Sequence, residues 1–132
     1  MLIGVALGLS ALLGMAQSRE PAPSDWTQFR GPGAAGKSSV QGIPLTWSDD
    51  AGIVWKSPMP GPGASSPIVR GDRIYITCYT GYADGSPSSR DQTKLQRHLL
   101  CLNLSDGKLL WNTAAPAVLP EPENIREEHG YA

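Results

Sequence analysis

The sequence predicts an all-β chain organised around one four-stranded antiparallel sheet. Three observations carry this. Residues Ser65 to Trp111 hold four short apolar runs divided by two tight-turn signals. Nothing in that stretch shows the 3.6-residue apolar period of an amphipathic helix. Glycine and proline, 15 and 12 of 132 residues, are abundant, as expected where many turns join short strands.

The elements follow in order. Pro67 to Val69 is the first run, and Gly71-Asp72 after it forms a two-residue turn whose glycine accepts positive φ without a Cβ clash. Ile74 to Tyr79, rich in β-branched and aromatic residues, completes a hairpin. Residues 81–95 are polar, rich in glycine and serine, and read as a loop. Leu99 to Leu104, the Asp106-Gly107 turn signal and Leu109 to Trp111 then form a second hairpin. The pleat sets Ile74, Ile76 and Cys78 on one face against Tyr75, Thr77 and Tyr79 on the other. Leu99 to Leu104 is apolar except at Asn103, so neither face reads as solvated. Sheets covered on both sides without helices occur where sheets stack, as in sandwiches and propellers.

An internal echo supports stacking. Ile53-Val54-Trp55-Lys56-Ser57 is repeated in type by Leu109-Leu110-Trp111-Asn112-Thr113. The separation exceeds the roughly 40 to 45 residues of a propeller blade. The excess falls in 81–95, which is expected to be an insertion at a blade's rim.

At this point the chain resembles a known family. The residues concerned are Trp26 with Gln28-Phe29-Arg30-Gly31-Pro32, Trp55-Lys56, Pro60-Gly61, Ser65-Ser66-Pro67-Ile68-Val69, Gly71-Asp72-Arg73 and Leu102 through Trp111. They are similar to the secreted bacterial proteins with a pyrroloquinoline-quinone-like β-propeller repeat, relatives of the outer-membrane assembly propeller. The resemblance covers nearly all of the chain after its leader. It departs from the family pattern at Asn103, where Asp is usual, and Asp106, where Thr is usual; both types suit a turn. The fold class it implies is an incomplete β-propeller, about one four-stranded antiparallel blade plus parts of neighbouring blades. Residues 26–132 form this part, with a blade core at 65–113. The resemblance implies structural roles for Trp26, Arg30, Trp55, Gly71, Gly107 and Trp111, the last docking on a neighbouring blade.

Leu2 to Met15 is an unbroken run of apolar and small residues, short of the roughly 20 that span a bilayer. Ala16-Gln17-Ser18 follows as a cleavage site, so residues 1–18 are expected to be a signal peptide and 19–25 a linker. The protein is then exported, periplasmic or extracellular, with no transmembrane helix after cleavage. A propeller needs roughly 170 residues or more to close its ring. The chain is therefore expected to be an N-terminal fragment, ending at His129-Gly130-Tyr131-Ala132 on the approach to another blade.

Composition excludes little. The chain is 40% hydrophobic and 17% charged, with a net charge of −1, so nothing favours nucleic acid as a partner. Arg30 reads either as a ligand-facing guanidinium or as a structural donor to backbone carbonyls. Pro60-Gly61-Pro62-Gly63 has no helix behind it and reads as a turn rather than a phosphate loop. Arg70-Gly71-Asp72 matches a cell-adhesion tripeptide by chance, because a hairpin turn demands the same residues. Cys78 and Cys101 are either bridged in an oxidising compartment or packed as buried thiols. His98 and His129, in no metal-ligand spacing, read as loop polar groups. Asp84, Asp91, Glu121, Glu123, Glu127 and Glu128 lack a calcium-loop spacing and read as solvated surface. Ser65-Ser66 has no accompanying triad.

No residue is assigned a catalytic, cofactor-binding or metal-binding role. The expected function is a non-catalytic binding or scaffold module engaging a protein or a glycan through loop faces. The alternative is an oxidoreductase of the alcohol or sugar dehydrogenase type, dependent on pyrroloquinoline quinone and calcium, with its catalytic residues in other blades.

Overall fold

The structure is a computed structural model that describes residues 25–82 and 91–121. The expected signal peptide, most of the linker, and Asp84, Glu123, Glu127, Glu128 and His129 lie outside the described residues. Four strands form one open antiparallel sheet in sequence order: β1 (Ile68–Arg70), β2 (Arg73–Thr80), β3 (Gln96–Asn103) and β4 (Leu109–Pro116). Helix is confined among the described residues to two single 3-10 turns, Pro32–Ala34 and Gln92–Lys94.

The β1–β2 turn is built as its sequence requires. Arg70 pairs with Arg73 across Gly71-Asp72, and Gly71 takes φ 61° at the first central position. That is the position where a two-residue hairpin turn of primed type needs a residue without Cβ. Its N–H donates at 2.8 Å to the carboxylate of Asp25, a buried side chain to which the sequence pattern gave no role. One residue on, Trp26 exchanges both backbone hydrogen bonds with Val69, at 2.9 and 2.8 Å, on the free side of β1. The Pro62 carbonyl accepts from Tyr79 N–H, and the Ser65 hydroxyl accepts from Thr77 N–H. Pro60 to Ser65 is thus drawn along the β2 edge rather than forming a free turn. A Cβ on Gly61 would strike the Tyr79 carbonyl.

The second hairpin is longer in strand and looser in turn than the sequence suggests. β3 begins at Gln96, and β4 runs on to Pro116, through residues with little strand propensity. Pairing explains both, from Arg73–Asn103 to Thr80–Gln96 for β3 and on to Gln96–Pro116 for β4, because added pairs satisfy backbone groups that would otherwise lack partners. A bulge at Cys101/Leu102 offsets β4 against β3. Asp106-Gly107 is part of a wider loop rather than a two-residue turn. Gly107 N–H donates to the Asn103 carbonyl and Asn103 N–H to the Lys108 carbonyl, both at 2.9 Å. The Asn103 side chain accepts from Ser105 N–H and the Asp106 carboxylate from Lys108 N–H, each two residues on. These are Asx turns, so Asn103 and Asp106 serve the turn directly. Leu104 N–H to the Asp72 carbonyl, 2.9 Å, ties the two turns together at one end of the sheet.

Two indoles finish that end. Trp55 Nε1 donates to the Leu104 carbonyl at 3.0 Å, and its ring lies where a Cβ on Gly107 would be. Trp26 covers Gly31 in the same way, and both glycines have positive φ. Core formation is modest. Cys78, Leu100 and Leu102 are buried with Ile74 and Ile76 on one face, and Tyr79 and Leu95 with Tyr82 and Ala117 elsewhere. Leu95 is wholly buried although it closes the segment expected to be a polar rim insertion.

Replacing Gly107 with Ala is expected to cost about 2–4 kcal/mol, combining left-handed strain with displacement of the Trp55 ring. Gly33→Ala, at φ 62° with open space where its Cβ would go, is expected to cost only about 1–2 kcal/mol. Urea midpoints followed by far-UV circular dichroism check the difference; equal costs would remove the ring from the account.

Candidate functional site

The pleat decides what each face of the sheet offers. Arg73, Tyr75, Thr77 and Tyr79 of β2 share a face with Arg97, Leu99, Cys101 and Asn103 of β3 through their direct pairing. Ile68 and Arg70 of β1, and Trp111 and Thr113 of β4, join that face. Its centre is aromatic: Tyr75 and Trp111 lie 6.0 Å apart with their rings tilted 53°. Such a tilted pair contributes about 0.5–1.5 kcal/mol beyond area burial. Trp111 nevertheless stays 40% exposed, and Leu99 beside it 42%.

The strand residues of this face carry charge of one sign. The four strands contain no Asp or Glu, and all three of their arginines, Arg70, Arg73 and Arg97, fall on the Trp111 side. Arg97 pairs with Glu121 at 2.7 Å, which holds that carboxyl below its ordinary range. Arg73 lies 4.0 Å from Cys101 Sγ and 3.7 Å from Asp72, and its pKa is raised, first by the thiol contact and then by Asp72. The result is an open aromatic strip with an arginine–carboxylate pair toward each end, Arg73 with Asp72 and Arg97 with Glu121. It can hold an apolar partner.

The opposite face holds the buried Cys78, Leu100 and Leu102, and no Asp, Glu, Lys or Arg of the strands falls on it. His98, expected in a loop, sits within β3. Its Nε2 meets Thr80 Oγ1 at 2.9 Å and its Nδ1 meets Asn112 Oδ1 at 3.1 Å, linking three strands. Cys78 is its direct cross-strand neighbour. Cysteine, histidine and asparagine together can support thiol chemistry, but here burial pushes the Cys78 thiol up, against the lowering effect of Gly61. A protonated, enclosed thiol is a poor nucleophile. Cys78 and Cys101 are both free and buried. They lie on opposite faces of adjacent strands, so their Cβ vectors diverge and no bridge can form.

The other residues singled out in the sequence are dispersed. Trp55 meets Gly107, and Trp26 and Gly71 are linked through the Asp25 region. Arg30 is exposed at φ 64°; its carbonyl accepts from Gly36 N–H at 2.7 Å, and its guanidinium lies beside Gly36. Asp91 caps the Gln92–Lys94 turn through Thr93, which lowers its pKa. A cleft of about 430 Å³ separates Asp25 and Trp26 from Lys37, Ser38, Ser39 and Val40. Among the described residues no three His, Cys, Asp or Glu side chains converge. None of the helices among the described residues is long and apolar enough to cross a membrane. Sequence reasoning missed Asp25 and the arginine face: neither has a motif, and the second emerges only from strand register.

Comparison with known proteins returned no match to any family, curated protein or solved structure.

At pH 8, Ellman's reagent is expected to react with neither cysteine in the native protein and with both in guanidinium chloride. Rapid native labelling of Cys78 would contradict the packing role given to it.

Proposed function

We propose that the chain is an exported, non-catalytic binding or scaffold module, one blade of a pyrroloquinoline-quinone-like β-propeller. One observation carries this reading. A four-stranded antiparallel sheet presents large apolar side chains, Leu99, Leu109, Leu110 and Trp111, each 40–46% exposed. A sheet built for solvent on one side alternates polar residues there instead. A blade stacked between neighbours has apolar groups on both sides, and the resemblance in Trp26 to Pro32, Ser65 to Arg73 and Leu102 to Trp111 points to the same architecture. The module's action is adhesion: it holds a neighbour or a protein or glycan partner against a preformed surface.

A double variant, Leu99→Thr with Trp111→Asn, tests the blade reading. The unmodified protein is expected to enhance anilinonaphthalene sulfonate fluorescence, and the variant to lose most of that enhancement while keeping its far-UV sheet signal. Unchanged dye binding in the variant would contradict the reading. A gain of dye-linked alcohol or sugar oxidation on adding pyrroloquinoline quinone and calcium would contradict the non-catalytic role.

A further inference from the structure

We propose that the free edge of β4 is an interaction site for a second copy of this chain: two β4 strands pair antiparallel about a two-fold axis at Thr113 and join their sheets into one. This goes beyond the stacked-sheet reading, because stacking covers the faces of a sheet and leaves its edges alone.

Register decides which backbone groups the edge offers. The N–H groups of Thr77 and Tyr79 donate to the Ser65 hydroxyl and the Pro62 carbonyl, on the side of β2 that β1 occupies further along. In an antiparallel ladder the backbone groups of successive residues point to opposite sides, so Ile76 and Cys78 bond to β3 through Leu100 and His98. Arg97, Leu99 and Cys101 are thereby turned toward β4, where they meet Ala115, Thr113 and Trp111. The residues between, Asn112 and Ala114, direct their N–H and C=O groups to the open edge. Among the described residues none of these backbone groups has a partner.

The two edges of the sheet differ. β1 has three residues, and Trp26 already bonds to Val69 on its outer side. β4 has eight, exposed throughout, and its sequence Leu109 to Pro116 lacks the charged side chain that commonly guards an edge. Its ends are closed instead. The bulge at Cys101/Leu102 breaks the ladder before Trp111, and Pro116 has no N–H to donate. What remains for pairing is Trp111 to Ala115, centred on Thr113.

That stretch is its own complement. With the axis at Thr113, Asn112 of each copy exchanges both backbone hydrogen bonds with Ala114 of the other. Trp111 then stands opposite Ala115, a large side chain against a small one, and Thr113 opposite Thr113, a favourable cross-strand pair. Arg97, beside Ala115 in the sheet, is held by Glu121 at 2.7 Å, so the seam sets no bare arginine against its copy. An unrelated strand would satisfy the same backbone groups; the match in side-chain size about Thr113 selects a second copy. The contact uses the same edge on both molecules, so it closes as a dimer. Both Trp111 strips lie on one side of the joined sheet.

Sedimentation velocity on the full chain across a concentration series tests this with Thr113→Lys and Thr113→Glu, at an exposed position where far-UV circular dichroism is expected to stay unchanged. The unmodified chain is expected to dimerise. Each variant alone is expected to do so at least about ten-fold more weakly, because like charges meet on the axis, and the equimolar mixture to recover, with lysine facing glutamate. Oxidation of Thr113→Cys under native conditions is expected to give a disulfide-linked dimer, since a residue on the axis faces itself, whereas Ala115→Cys faces Trp111 and is not cross-linked. If the unmodified chain associates but neither charge weakens it, or the mixture gains nothing over the single variants, edge pairing is overturned while the stacked-sheet reading stands. A monomer at every concentration, or equal cross-linking of the two cysteine variants, overturns edge pairing as well. Dye binding by the unmodified chain decides the stacked-sheet reading in either case, so the two failures are distinguishable.

Discussion

A sheet with two apolar faces needs cover on both, and the described residues supply it only in part. Cys78, Leu100 and Leu102 are closed over on one side, and Tyr79 and Leu95 at the loop end of the other. Between those clusters Tyr75, Leu99 and Trp111 remain open. Full burial of a large apolar side chain is worth about 1.5–3 kcal/mol. With the groups on β3 and β4 near half exposure, an important share of that stabilisation is left for a neighbour to provide. Everything inferred about function follows from this shortfall.

The turn end of the sheet is organised differently. Polar bonds and close contacts hold it: Asp25 on Gly71, Leu104 on Asp72, Trp55 on Leu104, and Asn103 and Asp106 on their own turns. A single such hydrogen bond contributes about 0.5–1.5 kcal/mol net, less than a buried indole. Their joint effect is geometric. They fix both hairpins in one register, and register fixes the faces: a slip by one residue would send Arg73 and Tyr75 to the packed side. The rigid end thus presents the open strip in one arrangement.

Much of the architecture was legible in local chemistry. Gly71-Asp72 has the residue types that a two-residue turn requires, and alternation in Ile74 to Tyr79 assigned its faces correctly. What escaped was set by long-range pairing. Gln96, Arg97 and His98 looked like loop because their side chains are polar, yet β2 had backbone partners to offer them. The Asp106-Gly107 signal suggested a tighter turn than the Asn103 and Asp106 side chains build. The free state of Cys78 and Cys101 followed from register and was not visible in their spacing. The arginine face was invisible for the same reason: Arg70, Arg73 and Arg97 are scattered in the sequence and meet only when the strands pair. The contact of the Trp55 indole with Gly107 likewise joins residues that no motif connects as a pair.

We propose that the Trp111 face is covered by a neighbour rather than by solvent. Hydroxyl-radical footprinting at residue resolution measures this most directly. Trp111, Leu99 and Tyr75 are predicted to be oxidised readily in dilute protein and progressively protected as concentration rises, with Val118, 85% exposed and outside the strip, unchanged. Equal oxidation of Trp111 at all concentrations would contradict the claim.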